Sequence, residues 1–257
     1  MISPHYFTFP FYLPRTICEL ENWTTYLKNY LSRKQNPATY ILRSGHQLID
    51  ATGTLAGTFA VVFIRREYGL IQRCRSIVDI GANMGTFTVY AARACPEARI
   101  VCYEPERKNF EYLSANLARN TNPELVTAFR SAVASSRGSR SMNTGESPLN
   151  TLIDLPDLQG RQLVSCTTLE EIFETNGFTS IDLMKINCEG AEYEIFETAP
   201  PNCVRQIRQI RLEYHNFEAK SGRTGRALGQ KLESIGFRIE RFSNYKDISG
   251  FIWATRI

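Results

Sequence analysis

Ser-Ile-Val-Asp-Ile-Gly-Ala-Asn-Met-Gly, residues 76–85, is the stretch on which the fold turns. Ile77, Val78 and Ile80 suit a strand buried on both faces, Asp79 stands near its end, two glycines follow, and a helical pattern starts near Met84. A helix entered in this way points its first backbone N–H groups at whatever occupies the turn. Dinucleotide sites use G-x-G-x-x-G, whose second glycine lets the backbone approach a pyrophosphate. Here the glycines are Gly81 and Gly85, and the position of that second glycine is Asn83. A pyrophosphate is therefore a poor fit, although a plain strand-to-helix turn without any ligand would look similar.

Working outward, Arg99 to Tyr103 is a second apolar strand, followed by Glu104-Pro105-Glu106 and a helix whose apolar face carries Phe110, Leu113 and Leu117. Pro105 suits the helix entrance. A carboxylate at the carboxyl end of the second strand is placed to accept hydrogen bonds from two ribose hydroxyls, which assigns Glu104 to the ribose. The D-x-G-x-x-x-G form of residues 79–85 resembles motif I of S-adenosylmethionine-dependent methyltransferases. That resemblance implies close backbone approach at Gly81 and Gly85, support of the cofactor's ammonium group by Asp79, and a cofactor set that also takes in Asn83, Thr86, Ser131 and Asn187.

A third block, Ser180 to Glu197, reads as a strand running into a helix and contains Ile-Asp-Leu-Met-Lys-Ile-Asn-Cys-Glu-Gly-Ala-Glu. It resembles the FkbM family of S-adenosylmethionine-dependent methyltransferases, in which an I-D-L-x-K-I-D strand precedes an E-G-A-E helix start. The resemblance also takes in the glycine turn, the Tyr-Glu-Pro segment with Asn116, Thr167-Thr168-Leu169, and Arg211-Leu-Glu-Tyr-His215, and spans about residues 40–243. It departs from the family at Asn187, where aspartate is frequent; an amide can hold a hydroxyl or cofactor group but cannot act as a carboxylate base.

Alternating strands and helices predict a doubly wound α/β sheet, the Rossmann-like sheet of class I methyltransferases, of about seven strands with the last antiparallel. The strands are expected near 76–80, 99–103, 124–130, 181–187, 207–214, 236–242 and 249–256. Residues 76–257 are the cofactor domain, and 1–75 an N-terminal extension. In the extension Pro4, Pro10 and Pro14 predict an irregular start, and Trp23, Leu27, Tyr30 and Leu31 share one face of a helix. A hairpin is expected from Tyr40–Leu42 and Gln47–Ile49, and a second helix over 57–66. The extension either covers the mouth of the site and contacts substrate or simply packs. Ser135 to Pro148, polar and poor in apolar anchors, is expected to be a mobile loop near the cofactor.

With 257 residues, 43% hydrophobic and 22% charged, the composition is that of a soluble globular protein. A net charge of +4 gives no sign of nucleic acid as partner. Seven cysteines without a C-x-x-C pair argue against zinc and for a reducing, cytoplasmic setting. Met1 to Pro14 does not resemble a secretory signal, and no stretch approaches the ~20 apolar residues of a membrane span.

Ligands of open α/β sheets bind beyond the carboxyl ends of the strands. That rule gathers residues 79–85, Glu104, Ser131, 187–189 and 213–215 into one cluster. Strand alternation turns Lys185, Asn187 and Glu189 to one side. A buried Lys185 is either paired with Asp79 or another carboxylate, or is a neutral amine able to act as base. Methyl transfer to oxygen needs alignment and a proton acceptor. His215 leads by intrinsic pKa, with Glu189 next unless it caps its helix, so the catalytic set is His215, Glu189 and Lys185. Asn187, Glu189, Glu213 and His215 offer ligands to a divalent metal, but too few carboxylates to assign one.

Arg205, Arg208 and Arg211, and also Lys220, Arg223 and Arg226, form either solvated basic faces or, for the second set, contacts to an acidic acceptor. The reaction implied is O-methylation of a sugar, glycan or natural-product hydroxyl, with a small-molecule or glycan acceptor and homo-oligomerisation left open. The alternatives are an NAD-dependent oxidoreductase, disfavoured by Asn83, a nucleic-acid methyltransferase, disfavoured by Asn-Cys-Glu-Gly at 187–190, and a cofactor-binding protein without catalysis.

Overall fold

The computed structural model describes residues 9–32, 36–143, 161–216 and 222–257. In chain order the extension holds α1 (Phe9–Glu19), α2 (Trp23–Ser32), β1 (Ala38–Ile41), β2 (Gln47–Asp50) and α3 (Leu55–Phe59), which widens into a π turn at Ala60–Ile64. The alternating part follows with β3 (Ser76–Ile80), α4 (Thr86–Ala94), β4 (Arg99–Tyr103), α5 (Arg107–Asn120), β5 (Val126–Phe129), β6 (Ala132–Val133), β7 (Gly138–Asn143) and β8 (Arg161–Thr167). It ends with α6 (Leu169–Asn176), β9 (Ile181–Ile186), α7 (Glu192–Thr198), α8 (Pro201–Arg205), β10 (Ile207–His215), α9 (Gly225–Ser234), β11 (Phe237–Phe242) and β12 (Ser249–Arg256).

Seven strands form one sheet in the order β11-β12-β10-β9-β3-β4-β5. β10, β9, β3, β4 and β5 run parallel, and β12 is antiparallel to both of its neighbours. The seven strands are those the sequence predicts. The apolar runs of β3, β4 and β9 are buried on both faces, as central parallel strands require. Ile77, Ile100, Cys102 and Leu183 join the core on one face, and Val78, Val101, Tyr103 and Met184 that on the other. The chain order reverses at β3, which puts a crevice beside its carboxyl end.

The extension shares the first of these cores: Leu20, Tyr26, Tyr40, Leu48, Phe59 and Phe63 pack in one cluster with Ile77 and Ile100. Pro4 lies outside the described residues, and from Phe9 onward the expected irregular start is a helix. α1 carries Pro14 inside it, because this proline removes only one helical bond and Pro10 falls in the first turn, where N–H groups have no helical partner. Of the predicted face of α2, Trp23, Leu27 and Tyr30 pack against this core and Leu31 is exposed, while Tyr26 and Asn29 beside them are its buried residues. The Tyr26 ring fits between Tyr40 and Phe59, with centroids 5.7 and 5.3 Å away. The hairpin forms, with Ile41 opposite Gln47.

Part of the expected mobile loop is structured. Residues 138–143 form β7, which pairs antiparallel with β8 in a small sheet ordered β6-β8-β7, and residues 144–148 lie outside the described residues. Met142, Val164 and Cys166 supply its apolar face. Glu194 of α7 binds Arg140 at 2.6 Å and the Ser135 hydroxyl at 3.0 Å, fixing this sheet beside the crevice.

Candidate active site

The crevice is a cavity of about 640 Å³, open mouth included, and its wall is drawn from the ends of β3, β4 and β9 and from the small sheet. Gly81, Asn83, Glu104, Ser131, Asn187 and Glu189 all line it, so six of the sequence-assigned residues meet in one place. None of the described residues before Ile80 does.

The turn after β3 is a run of left-handed backbone: φ is +73° at Gly81, +51° at Asn83 and +87° at Gly85. A Cβ on Gly81 would lie 1.7 Å from the Asn187 carbonyl oxygen. The glycine is therefore required by the adjacent strand end as well as by φ. Gly85 caps α4 in the left-handed conformation that favours glycine, faces the Leu113 side chain and lies outside the cavity wall. Thr86 opens α4, also outside the wall, with a buried hydroxyl that has no hydrogen-bond partner among the described residues.

Glu104 is fixed from three sides. Oε2 accepts from the Asn83 N–H at 2.8 Å, and Oε1 from the Glu106 N–H at 3.0 Å and the Asn109 amide at 3.5 Å. Burial raises its pKa to about 7 against these hydrogen bonds, which lower it. Ser131 donates to the Ser165 carbonyl at 3.1 Å.

Asp79 and Lys185 are direct neighbours across β3 and β9. Of the two readings of Lys185, pairing is what the geometry shows: its Nζ is 2.9 Å from Asp79 Oδ1 and donates to the carbonyls of Gly81 at 2.6 Å and Ile80 at 3.3 Å. An ammonium with three acceptors has no lone pair to offer as a base. Asp79 Oδ2 accepts from the Thr88 hydroxyl at 2.6 Å, so this carboxylate is occupied by lysine and threonine and does not face the cavity. Its influence on the turn passes through Lys185, which holds the Gly81 carbonyl.

Beyond Asn187 lies a buried group of acids. The Asn187 amide donates to Glu213 Oε2 at 3.1 Å, its backbone N–H donates to Ile80, and its Oδ1 is buried without a hydrogen-bond partner among the described residues. Tyr68, from the segment ahead of β3, donates to the same Glu213 oxygen at 3.2 Å. Glu189 and Gly190 have φ of +52° and +104°, a strained corner that carries the Glu189 side chain to the cavity. His215 Nδ1 lies 2.8 Å from Glu192 Oε1, and Nε2 lies 3.4 Å from Glu189 Oε2.

Burial alone would push the His215 pKa down; Glu192, Glu189 and Glu213 outweigh it and lift it to about 10. An imidazolium cannot accept a proton, so the two flanking carboxylates count against the role of base that the sequence assigns to His215. Burial raises Glu189 to about 7 against the attraction of His215. Glu192 and Tyr68 were not singled out from the sequence. Glu192 stood in the open as the last residue of Glu-Gly-Ala-Glu, whereas nothing local marks Tyr68.

No group of three or more His, Cys, Asp or Glu that could hold a metal ion occurs among the described residues. All seven cysteines are free thiols. Arg211 is buried over the Trp253 ring at 5.0 Å, Arg208 pairs with Asp182 at 3.2 Å and Arg223 with Glu197 at 2.6 Å, while Lys220 lies outside the described residues.

A seven-stranded sheet with one reversed strand near its edge and a crevice at the carboxyl ends is the Rossmann-like fold of class I methyltransferases. The methyltransferase FkbM domain matches residues 79–239, and the chain belongs to that family. A solved FkbM methyltransferase from Methylobacillus flagellatus superposes with a TM-score of 0.52 at 13% identity, covering 76% of this chain and 47% of that one. Among curated relatives, methyltransferase sdnD of Sordaria araneosa is 26% identical over 53% of this chain and 65% of its own length. The 31-O-demethyl-FK506 methyltransferase FkbM of Streptomyces tacrolimicus is 23% identical over 57% of this chain and 67% of its own. The AMB antimetabolite synthetase AmbE of Pseudomonas aeruginosa is 28% identical over 63% of this chain, which spans only 9% of that protein.

Proposed function

We propose that the protein moves a methyl group from S-adenosylmethionine to a hydroxyl oxygen of a sugar, glycan or other natural product. The observation that carries this reading is Glu104: a carboxylate held by two backbone N–H groups at the cavity wall, placed to receive a ribose diol. Asn187 Oδ1, buried and without a hydrogen-bond partner among the described residues, offers an acceptor to the cofactor's amino-acid end, and Ser131 lines the same cavity. These residues fit the group. When bound, its sulfonium supplies an electrophilic methyl; the chain's own work is to hold it, align the acceptor and remove a proton.

The oxygen acceptor is supported by the relative whose name specifies a 31-O-demethyl compound. On this reading residues 1–75 brace the cofactor turn from behind, since their described part packs on the shared core and stays off the cavity wall. Free thiols suit a cytoplasmic setting.

Calorimetry with S-adenosylhomocysteine and with NAD tests the class. Binding of the first and not the second is expected; binding of NAD alone would sink the proposal. Labelled methyl donor incubated with cell extracts would then reveal the acceptor.

A further inference from the structure

Four ionisable side chains crowd the far wall, and only one of them reaches the cavity. Glu189 lines it, while His215, Glu192 and Glu213 stand behind. Side-chain exposure falls from 24% at Glu189 to 9% at His215 and 0% at Glu192, and Glu213 is half-buried. Both ring nitrogens of His215 face carboxylate oxygens. The Nδ1 contact is a hydrogen bond and the Nε2 contact a longer ion-pair approach; a neutral ring would aim one lone pair at an anion, whereas a doubly protonated ring presents positive charge to both.

We propose that Glu189, and not His215, takes the proton of the acceptor, and that His215, fixed as a cation between Glu189 and Glu192, is a positioning residue that aims and charges Glu189. The inference rests on the methyl-transfer reading. As the acceptor oxygen forms its bond to the methyl carbon, the methyl–sulfur bond breaks with its electron pair left on sulfur, and the hydroxyl proton passes to a Glu189 oxygen. Glu189 is faced by Glu192 from α7, by Glu213 and His215 from β10, and by Lys185 from β9. Without the two cations, three carboxylates in one buried space could not all ionise. A pKa of about 7 then suits a base that must take a proton and give it up near neutrality.

The full chain has three histidines, so nitrogen NMR of ¹⁵N-histidine-labelled protein can follow each ring, with His215 assigned by its loss in His215→Gln. Both nitrogens of His215 are expected to keep imidazolium shifts at pH 8, where His46, whose pKa burial lowers, is neutral. A neutral His215 at pH 8 in the native protein overturns the proposal, and this measurement needs no variant to fold beyond the one used for assignment. In Glu192→Gln the His215 midpoint should fall by more than ~1 pH unit, a shift that a merely structural contact would not produce; an unmoved midpoint counts against the role. Carboxyl-carbon NMR should place the Glu189 titration above those of exposed glutamates, and a midpoint in the ordinary range overturns its part. S-adenosylhomocysteine binding is measured on the same samples. If it fails while both titrations behave as expected, the methyl-transfer reading falls and the proton role with it; a neutral His215 in a protein that binds the ligand removes only the inference.

Discussion

The wall built by Gly81 and Glu104 and the wall built by Glu189, with His215 behind it, enclose the same cavity by opposite means. At the first, a carboxylate is held by backbone N–H groups and the turn by left-handed φ values, so its geometry follows from the course of the main chain. At the second, charged side chains hold one another, and their protonation follows from what surrounds them. The first should therefore respond to mutation as a matter of shape, and the second as a matter of charge.

The comparison breaks most severely at Gly81. Gly81→Ala forces a methyl into the Asn187 carbonyl at a positive φ, and is expected to lower stability by about 3 kcal/mol or more in urea unfolding. A smaller loss would mean that the two strand ends separate easily. Glu104→Ala removes charge-assisted acceptors while leaving the main-chain path, and should weaken S-adenosylhomocysteine about 10- to 150-fold, from roughly 1.5 to 3 kcal/mol. Unchanged affinity in calorimetry would take Glu104 out of the site.

Acidification should imitate that variant more gently. Glu104 has a raised pKa of about 7, only its ionised form accepts both ribose hydroxyls, and the binding-competent fraction falls as pH drops below that value. Affinity at pH 6 is expected to be about tenfold weaker than at pH 8, provided that Glu104 governs the change. The same pH series on Glu104→Gln should be flat from that source. At the small end, Ser135→Ala loses one hydrogen bond to Glu194 while Arg140 keeps the other. About 0.5–1 kcal/mol of stability should go, with ligand affinity within twofold of the native protein.

The first wall was legible in the sequence because its determinants are local. Glycine spacing, the acid after the second strand and apolar runs of strand length all act over a few residues, and all seven strands followed from them. Three things were not legible. β7 has a polar sequence, and only pairing with β8 and the hold of Glu194 make it a strand. Gly85 read as a ligand contact, although it stands outside the cavity wall and its φ of +87° at the start of α4 is what requires glycine. The surroundings of His215 are set by Glu189 and Glu192 on a different segment of the chain, which an intrinsic pKa does not register.

One tie between the extension and the sheet has a consequence for where the protein can be divided. Asn116 and Asn120, one helical turn apart on α5, act as a substitute strand: their amides exchange hydrogen bonds with the main chain of Ile49 and Gln47 along the free edge of β2. Asn116 also holds the Met84 carbonyl of the glycine turn at 2.8 Å. Cutting the chain before Ser76 would strip this edge from α5 and leave the asparagine that steadies the turn without its other partner. The boundary at residue 75 marks a change in the path of the chain, and cohesion continues straight across it.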